Sequence, residues 1–146
     1  GLLSWLLQIE TPAQAARDPL LGGIYENLVV VEALKAAHNC DVEPRLSFYR
    51  DKSGLEVDLI REYQRRPFAI EIKAASTFTA EMLGALDRFA ALQGSAPGSP
   101  PGGAVIYSGP SQESVRGIDI RNHTEVAQLL FSDSYSAPRA NPNTTV

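Results

Sequence analysis

Asp58, Glu71 and Lys73 have the residue types and the spacing of a charged catalytic cluster. Glu71 and Lys73 lie two positions apart in an alternating segment, so a strand would place both side chains on one face of a sheet. If the strand that carries Asp58 returns through a loop at 63–66, Asp58 lies opposite Glu71, with Cβ atoms about 4.5–5.5 Å apart. Two carboxylates at this separation repel each other, so the arrangement requires a cation, a raised pKa or a different register.

A divalent cation would remove this repulsion. Mg²⁺ prefers oxygen ligands and is typically held by one or two carboxylates together with water and substrate phosphates. Lys73, on the same face, could orient a water molecule or stabilise charge on a phosphate. These are the requirements of metal-assisted phosphodiester hydrolysis. A structural interpretation competes with this one, because strand positions that face solvent are usually polar.

A helix and three antiparallel strands are predicted to position the cluster. Asp18 and Pro19 suit a helix start, and apolar residues recur at helical spacing through about residue 35. Strands are predicted around Leu46 and Phe48, over 55–61 and over 68–73, with a turn at 50–54. The predicted hairpin register pairs Ile60 with Ala69 and Glu62 with Pro67, and it places Leu55, Val57 and Leu59 on one buried face.

The remaining segments predict further elements on both sides of this block. Before the block, a short helix is predicted within 1–9, followed by a break at Pro12. After it, a helix is predicted from the N-cap Thr79 to Leu92, then a central strand at 104–107 and a strand at 115–120. A last helix is predicted through Leu130, opened by a capping box of Asn122 and Glu125. The sequence GSAPGSPPGG at 94–103 predicts a linker. We therefore divide the chain into a leading segment at 1–17, a domain at 18–131 and a polar tail at 132–146.

Composition restricts the class of protein. The 146 residues suffice for one domain, and no apolar run is long enough to cross a bilayer. The single cysteine, Cys40, excludes an internal disulfide framework and a multi-cysteine zinc site. The net charge of −4 argues against a generally basic surface, but residues 45–73 carry seven basic and five acidic residues, a local excess of +2. That excess fits either a basic surface beside the cluster or a solvated hairpin of mixed charge.

Three segments of the chain resemble one prokaryotic family. GIYENLVVVEAL, LSFYRDKSGLEVDLI and FAIEIKAASTFT are similar to segments of AAA+ type ATPases that carry a C-terminal PD-(D/E)xK nuclease-like domain, long described as a domain of unknown function. The resemblance covers roughly residues 1–108. It implies an α/β fold with a restriction-endonuclease-like core, in which a mixed sheet with antiparallel hairpins is flanked by helices.

The resemblance also implies roles for individual residues. Asp58 and Glu71 would be metal ligands, Lys73 the catalytic lysine, and Glu26 an acidic residue of the first helix that joins the site. For Glu26 the alternative is an ordinary surface glutamate. The family's ATPase module would lie upstream, because this chain contains no G-x-x-x-x-G-K-[ST] phosphate loop.

The leading hypothesis is therefore Mg²⁺- or Mn²⁺-dependent cleavage of DNA by a cytoplasmic protein with no membrane partner. One alternative is a non-catalytic domain that binds nucleic acid or regulates the ATPase. Another is a dimerisation module. The N-terminal leucines and Trp5 are expected to pack on the core, but once separated from an upstream module they could form an exposed patch or a contact between copies.

The other candidate residues have weaker patterns. His38, His123 and Cys40 have no metal or triad partner at a suitable spacing and are expected in loops or caps. Arg61, Arg65 and Arg66 either contact phosphates or form a charged turn in water.

Overall fold

The computed structural model describes residues 2–63, 66–94 and 102–132, within which five α-helices and six strands are defined. The helices are α1 (Leu2–Leu6), α2 (Pro12–Ala15), α3 (Leu21–Asn39), α4 (Gly84–Leu92) and α5 (Val126–Phe131). The strands are β1 (Leu46–Arg50), β2 (Glu56–Tyr63), β3 (Arg66–Lys73), β4 (Gly103–Tyr107), β5 (Gln112–Val115) and β6 (Ile118–Asn122). Short 3₁₀ turns at Ala80–Leu83 and His123–Glu125 precede α4 and α5.

All six strands belong to one mixed sheet in the order β1-β2-β3-β4-β6-β5. The first three strands are antiparallel, β4 is parallel to both β3 and β6, and β5 is antiparallel to β6. The predicted α/β class, with a mixed sheet flanked by helices, is confirmed, and the order of elements is compatible with a restriction-endonuclease-like core. The apolar segment at 104–107 forms the expected central strand, β4.

Two apolar clusters cover the two faces of the sheet. On one face, α3 and α5 pack against side chains that include Leu59, Ile70 and Ile106. On the other, α4 packs against a set that includes Val57 and Ile120. Strand β4 is buried at every residue because helices cover both faces at the centre of the sheet.

Helix α3 begins and ends later than predicted. It runs from Leu21 to Asn39, whereas the prediction placed its start at Asp18 and Pro19 and its end near residue 35. It begins at Leu21 because the Asp18 carboxylate accepts a hydrogen bond from the Leu20 amide, at 2.8 Å, which forms a local turn before the helix. Its buried side also includes alanines that were not predicted. The buried residues are Tyr25, Val29, Ala33, Ala36 and Ala37, whereas Leu20, Leu28 and Leu34 are exposed. Small side chains let the helix approach the sheet closely, and periodicity of large apolar residues cannot detect them.

Strand β2 contains a bulge that the alternating pattern did not predict. Ser47 pairs with Ile60 and Tyr49 with Val57, so Phe48 alone faces two residues of β2, Asp58 and Leu59. The extra residue reverses the alternation. Val57 and Ile60 therefore pack on the α4 side, while Leu59 packs on the α3 side. The prediction that Leu55, Val57 and Leu59 share one face was wrong for this reason.

The β2–β3 hairpin confirms the predicted register. Ile60 pairs with Ala69 and Glu62 with Pro67. Pairing continues to Tyr63 and Arg66, so the connection is shorter than the predicted loop at 63–66.

The chain after β4 folds into more elements than predicted. The single strand expected at 115–120 is two strands, β5 and β6, joined at Arg116 and Gly117, whose positive φ angles of 52° and 77° suit a tight hairpin turn. Asn122 caps the following turn by accepting from the Thr124 amide at 3.0 Å, while Glu125 contacts Ser111.

Other predicted boundaries moved by a few residues. Thr79 precedes a 3₁₀ turn, and α4 begins only at Gly84. Pro12 opens α2, where the Thr11 hydroxyl accepts from the Gln14 amide. Most of the predicted linker at 94–103 lies outside the described residues, and so does the tail from 133 onwards.

Candidate functional site

Asp58 lies where β2 separates from β3. Regular pairing between these strands runs from Tyr63 and Arg66 to Leu59 and Ile70. Beyond that point the Asp58 carboxylate accepts a hydrogen bond from the Ile72 amide at 2.7 Å. Asp58 therefore reaches β3 through its side chain, and not through the regular ladder position opposite Glu71 that the sequence predicted. The bulge is the physical reason, because it redirects the strand at this residue.

Glu71 and Lys73 lie at the end of β3 and meet as the alternation predicted. The Lys73 ammonium is 2.5 Å from Glu71 Oε1 and 3.8 Å from Asp58 Oδ2. Both carboxylates are thus brought together around one cation, although by a different backbone arrangement from the one expected. We call Asp58, Glu71 and Lys73 the charged cluster.

One oxygen of the charged cluster has no hydrogen-bond partner among the described residues. Glu71 is only 7% exposed, and its Oε2 is buried without a hydrogen bond to any part of the chain that the structure describes. Buried polar atoms nearly always have a partner, so an unpaired carboxylate oxygen marks a place where a donor or a cation is missing. Lys73 contacts Oε1 and leaves this second oxygen free.

The protonation of the cluster reflects its burial. Burial raises the pKa of Asp58, although the Ile72 amide and Lys73 partly offset this effect. Burial likewise raises the pKa of Glu71, against the stabilising contact with Lys73. Burial alone would lower the pKa of Lys73, but Glu71, Asp58 and Glu26 outweigh it and raise the pKa. Lys73 is therefore a cation at neutral pH, suited to stabilise negative charge and not to accept a proton.

Glu26 approaches the cluster from α3. Its pKa is raised by burial and by the negative charge of Asp58, while Lys73 lowers it. Glu26 therefore shares the electrostatic field of the charged cluster.

The oxygen atoms of this site are suitable ligands for a hard divalent cation. Carboxylate oxygens are the ligands that Mg²⁺ and Mn²⁺ prefer, and the unpaired Glu71 Oε2 is available as one of them. Within residues 2–63, 66–94 and 102–132, no three His, Cys, Asp or Glu side chains lie close enough together to hold a metal ion, so the site offers two carboxylates and not three. Asp58 and Glu71 would hold the ion, with Glu26 at the periphery.

The weaker candidates fall outside the site. His38 and Cys40 are exposed at the end of α3, and the His123 ring packs edge-on against Tyr25, with centroids 5.6 Å apart. Arg61 donates to the Leu130 carbonyl and lies 4.3 Å from the centre of the Phe131 ring, so it stabilises the end of α5. Arg66 lies at the opposite end of β3 from Lys73, and Arg65 is outside the described residues.

Two apolar regions of the described chain are exposed, and the first of them differs from its expectation. Leu2, Trp5 and Leu6 of α1 are 73%, 74% and 62% exposed, so the expectation that Trp5 packs on the core was wrong. Phe48 in β1 is 72% exposed beside the bulge. Its residue type and spacing predicted only a strand position for Phe48. An aromatic residue within a basic segment was the signal that could have marked it as a candidate binding residue.

Comparison with known proteins identifies a family. The model of the family described as a domain of unknown function, DUF4143, matches residues 21–126, which include Glu26 and the whole charged cluster. The chain belongs to this family. Searches of curated proteins and of solved structures returned no match. Within the described part of this family member, none of the helices combines the length and the apolar character needed to span a bilayer.

Proposed function

We propose that this DUF4143 domain is a metal-dependent nuclease that hydrolyses phosphodiester bonds of DNA. The observation that carries the proposal is the convergence of the buried Glu71 carboxylate and the partly buried Asp58 carboxylate on Lys73, with one Glu71 oxygen left unpaired among the described residues. Clusters of perturbed ionisable groups are more common at functional sites than in ordinary structural surroundings.

Each residue has a distinct part in the proposed reaction. A bound Mg²⁺ or Mn²⁺ would supply an activated water and polarise a phosphoryl oxygen. Asp58 and Glu71 would hold that ion, and Glu26 would orient its water. Lys73, being protonated, would stabilise the negative charge that develops on the phosphate.

We further propose that the domain is the C-terminal module of an AAA+ type ATPase. This context rests on the similarity of GIYENLVVVEAL, LSFYRDKSGLEVDLI and FAIEIKAASTFT to such proteins. In that setting the ATPase would control access of DNA to the charged cluster.

Cleavage of supercoiled plasmid and of single-stranded DNA with Mg²⁺ or Mn²⁺ tests the proposal. Asp58→Asn retains an oxygen that can accept from the Ile72 amide while removing the charge, so it separates catalysis from strand geometry. Asp58→Asn and Lys73→Met should each reduce cleavage at least about 100-fold. Arg88→Gln, in which an exposed charge on α4 is removed, is the control that should cleave normally.

Two results would reject nuclease activity. The first is cleavage that survives both Asp58→Asn and Lys73→Met, because it would come from a contaminant. The second is an absence of cleavage by the wild-type protein with either metal, in both substrates. If such a protein still binds DNA, the non-catalytic binding alternative is correct.

A further inference from the structure

Phe48 is an exposed aromatic side chain on the strand next to the one that carries Asp58. It lies on the edge strand β1, directly across from the bulge formed by Asp58 and Leu59. It is 72% exposed, although phenylalanine is usually buried in a folded domain. An exposed ring one strand away from the proposed catalytic carboxylate is suited to contact whatever binds there.

The alternation of β1 determines which face Phe48 occupies. Leu46 packs with the cluster under α3 and α5, whereas Tyr49 packs on the α4 side, 5.3 Å from the Phe89 ring. Phe48 and Arg50 therefore share the face of Leu46. This is also the face on which α3, with Glu26, packs against the sheet.

The segment that carries this ring has an excess of basic residues. The segment from Arg45 to Ser53 contains three basic residues, Arg45, Arg50 and Lys52, and one acidic residue, Asp51, in a chain whose net charge is −4. Asp51 is used within its own turn, where its carboxylate accepts from the amides of Ser53 and Leu55. The side chain of Arg50 is 69% exposed, and it is only loosely paired with Glu56, at 3.9 Å.

We propose that β1 is a platform for single-stranded DNA, in which a base stacks on Phe48 while Arg50 and Lys52 contact the flanking phosphates. This inference rests on the proposed nuclease function and names its substrate class. Exposed aromatic rings interleaved with cations are how proteins hold single strands without sequence preference. In duplex DNA the base faces are already stacked on their neighbours, so a ring such as Phe48 can reach only an unpaired base.

Equilibrium binding of the 146-residue chain to fluorescent dT20 and to a mixed 20-base-pair duplex tests the platform. All measurements use the Asp58→Asn background with EDTA, so that cleavage does not interfere. Stacking on one aromatic side chain is worth about 1–3 kcal/mol, so Phe48→Ala should weaken dT20 binding about 5- to 150-fold. Phe48→Trp should bind dT20 at least as tightly as the protein that retains Phe48. The protein that retains Phe48 should bind the duplex more weakly than it binds dT20.

Trp5→Ala is the matched control, because Trp5 is an equally exposed aromatic side chain that lies outside the sheet, on α1. It should leave dT20 affinity unchanged. The combined change Arg50→Gln and Lys52→Gln should weaken dT20 binding and reduce its dependence on salt. Circular dichroism of each variant shows whether the fold is retained, which is expected because all these side chains are exposed.

Several results would overturn the platform. They are unchanged dT20 affinity in Phe48→Ala, an equal loss in Trp5→Ala, or duplex binding as tight as dT20 binding. The two proposals can fail separately. If Phe48→Ala weakens binding but no variant cleaves DNA, the platform stands and the nuclease proposal fails. If the wild-type protein cleaves DNA and Phe48→Ala changes neither binding nor cleavage, the reverse holds.

Discussion

The sheet contains two buried acidic residues, and their surroundings differ. Asp119 in β6 is 4% exposed, and its Oδ1 lies 2.5 Å from the Ser114 hydroxyl and 3.3 Å from Arg121. Glu71 in β3 is 7% exposed, contacts Lys73 and retains one unpaired oxygen. Burial alone therefore does not distinguish the carboxylate proposed as a metal ligand from a carboxylate that is paired within the fold. The incomplete pairing of Glu71 is what separates it from Asp119.

Both residues lie beside an irregularity in the sheet. Asp119 is matched with Ala104 of β4 in regular parallel pairing, but on its other side Glu113 and Ser114 of β5 face it together, where the pairing with β6 shifts register. Glu71 lies where β2 bulges and the Asp58 side chain takes over the contact with β3. A bulge is therefore present beside both acidic residues and does not by itself separate them.

The largest expected effect is on stability at Asp119. Asp119→Ala removes the acceptor that Ser114 and Arg121 share and should lower the free energy of unfolding by about 2 kcal/mol. Glu71→Gln keeps an oxygen for Lys73 and removes a charge that burial disfavours, so it should leave stability unchanged or raise it by about 0.5–2 kcal/mol. Urea unfolding of both variants measures the difference. Equal losses would mean that Glu71 is as structural as Asp119.

Of the two buried carboxylates, Glu71 and Asp119, only Glu71 should be needed for a divalent metal to stabilise the fold. At tenfold excess over its Kd, Mn²⁺ stabilises a folded protein by about 1.4 kcal/mol, which raises the Tm. We expect this shift in the wild-type protein and in a folded Asp119→Asn variant, and its loss in Glu71→Gln and Asp58→Asn. Thermal melts with Mn²⁺ and with Ca²⁺ give the comparison. A shift retained in Glu71→Gln would place the ion elsewhere.

The smallest expected effect is on the pH dependence of stability. The pKa values of Asp58 and Glu71 are raised in the fold, mainly by burial, so the folded protein binds more protons than the unfolded chain. Their contribution to stability is full below the ordinary values, about pH 4, and is lost as pH rises through the raised pKa values. The double variant Asp58→Asn, Glu71→Gln should lose this part of the slope. The free energy of unfolding, measured with urea between pH 4 and 7, gives this slope. If it changes with pH equally in the wild-type protein and in the double variant, the expectation is wrong.

Local pattern was sufficient for much of the fold. Alternation identified β2 and β3, and the hairpin register followed from it because the side-chain period of a strand is two. The turn at 50–54 was predictable from Asp51 and Gly54, whose carboxylate bonds and positive φ of 83° are local properties. The first helix was predictable, but its buried alanines were not, because burial of a small side chain depends on how closely the helix approaches the sheet.

The candidate site was predicted by residue type and in part by position. Asp58, Glu71 and Lys73 meet as expected, yet the bulge that joins Asp58 to the Ile72 amide could not be read from the alternating pattern. A bulge depends on pairing with a second strand, here β1, and one sequence segment does not contain that information. For the same reason the sequence did not indicate that Phe48 is exposed while Trp5 fails to pack on the core.

The sequence by itself determined the composition of the charged cluster, the order of helices and strands and the membership in DUF4143. Only the tertiary structure decided that Arg61 stabilises α5, that one Glu71 oxygen lacks a partner, and that Asp119 is fully engaged with its neighbours. The physical reason is that residue type and spacing set which groups share a face. Their burial, and hence their charge state and pairing, depends on elements far apart along the chain.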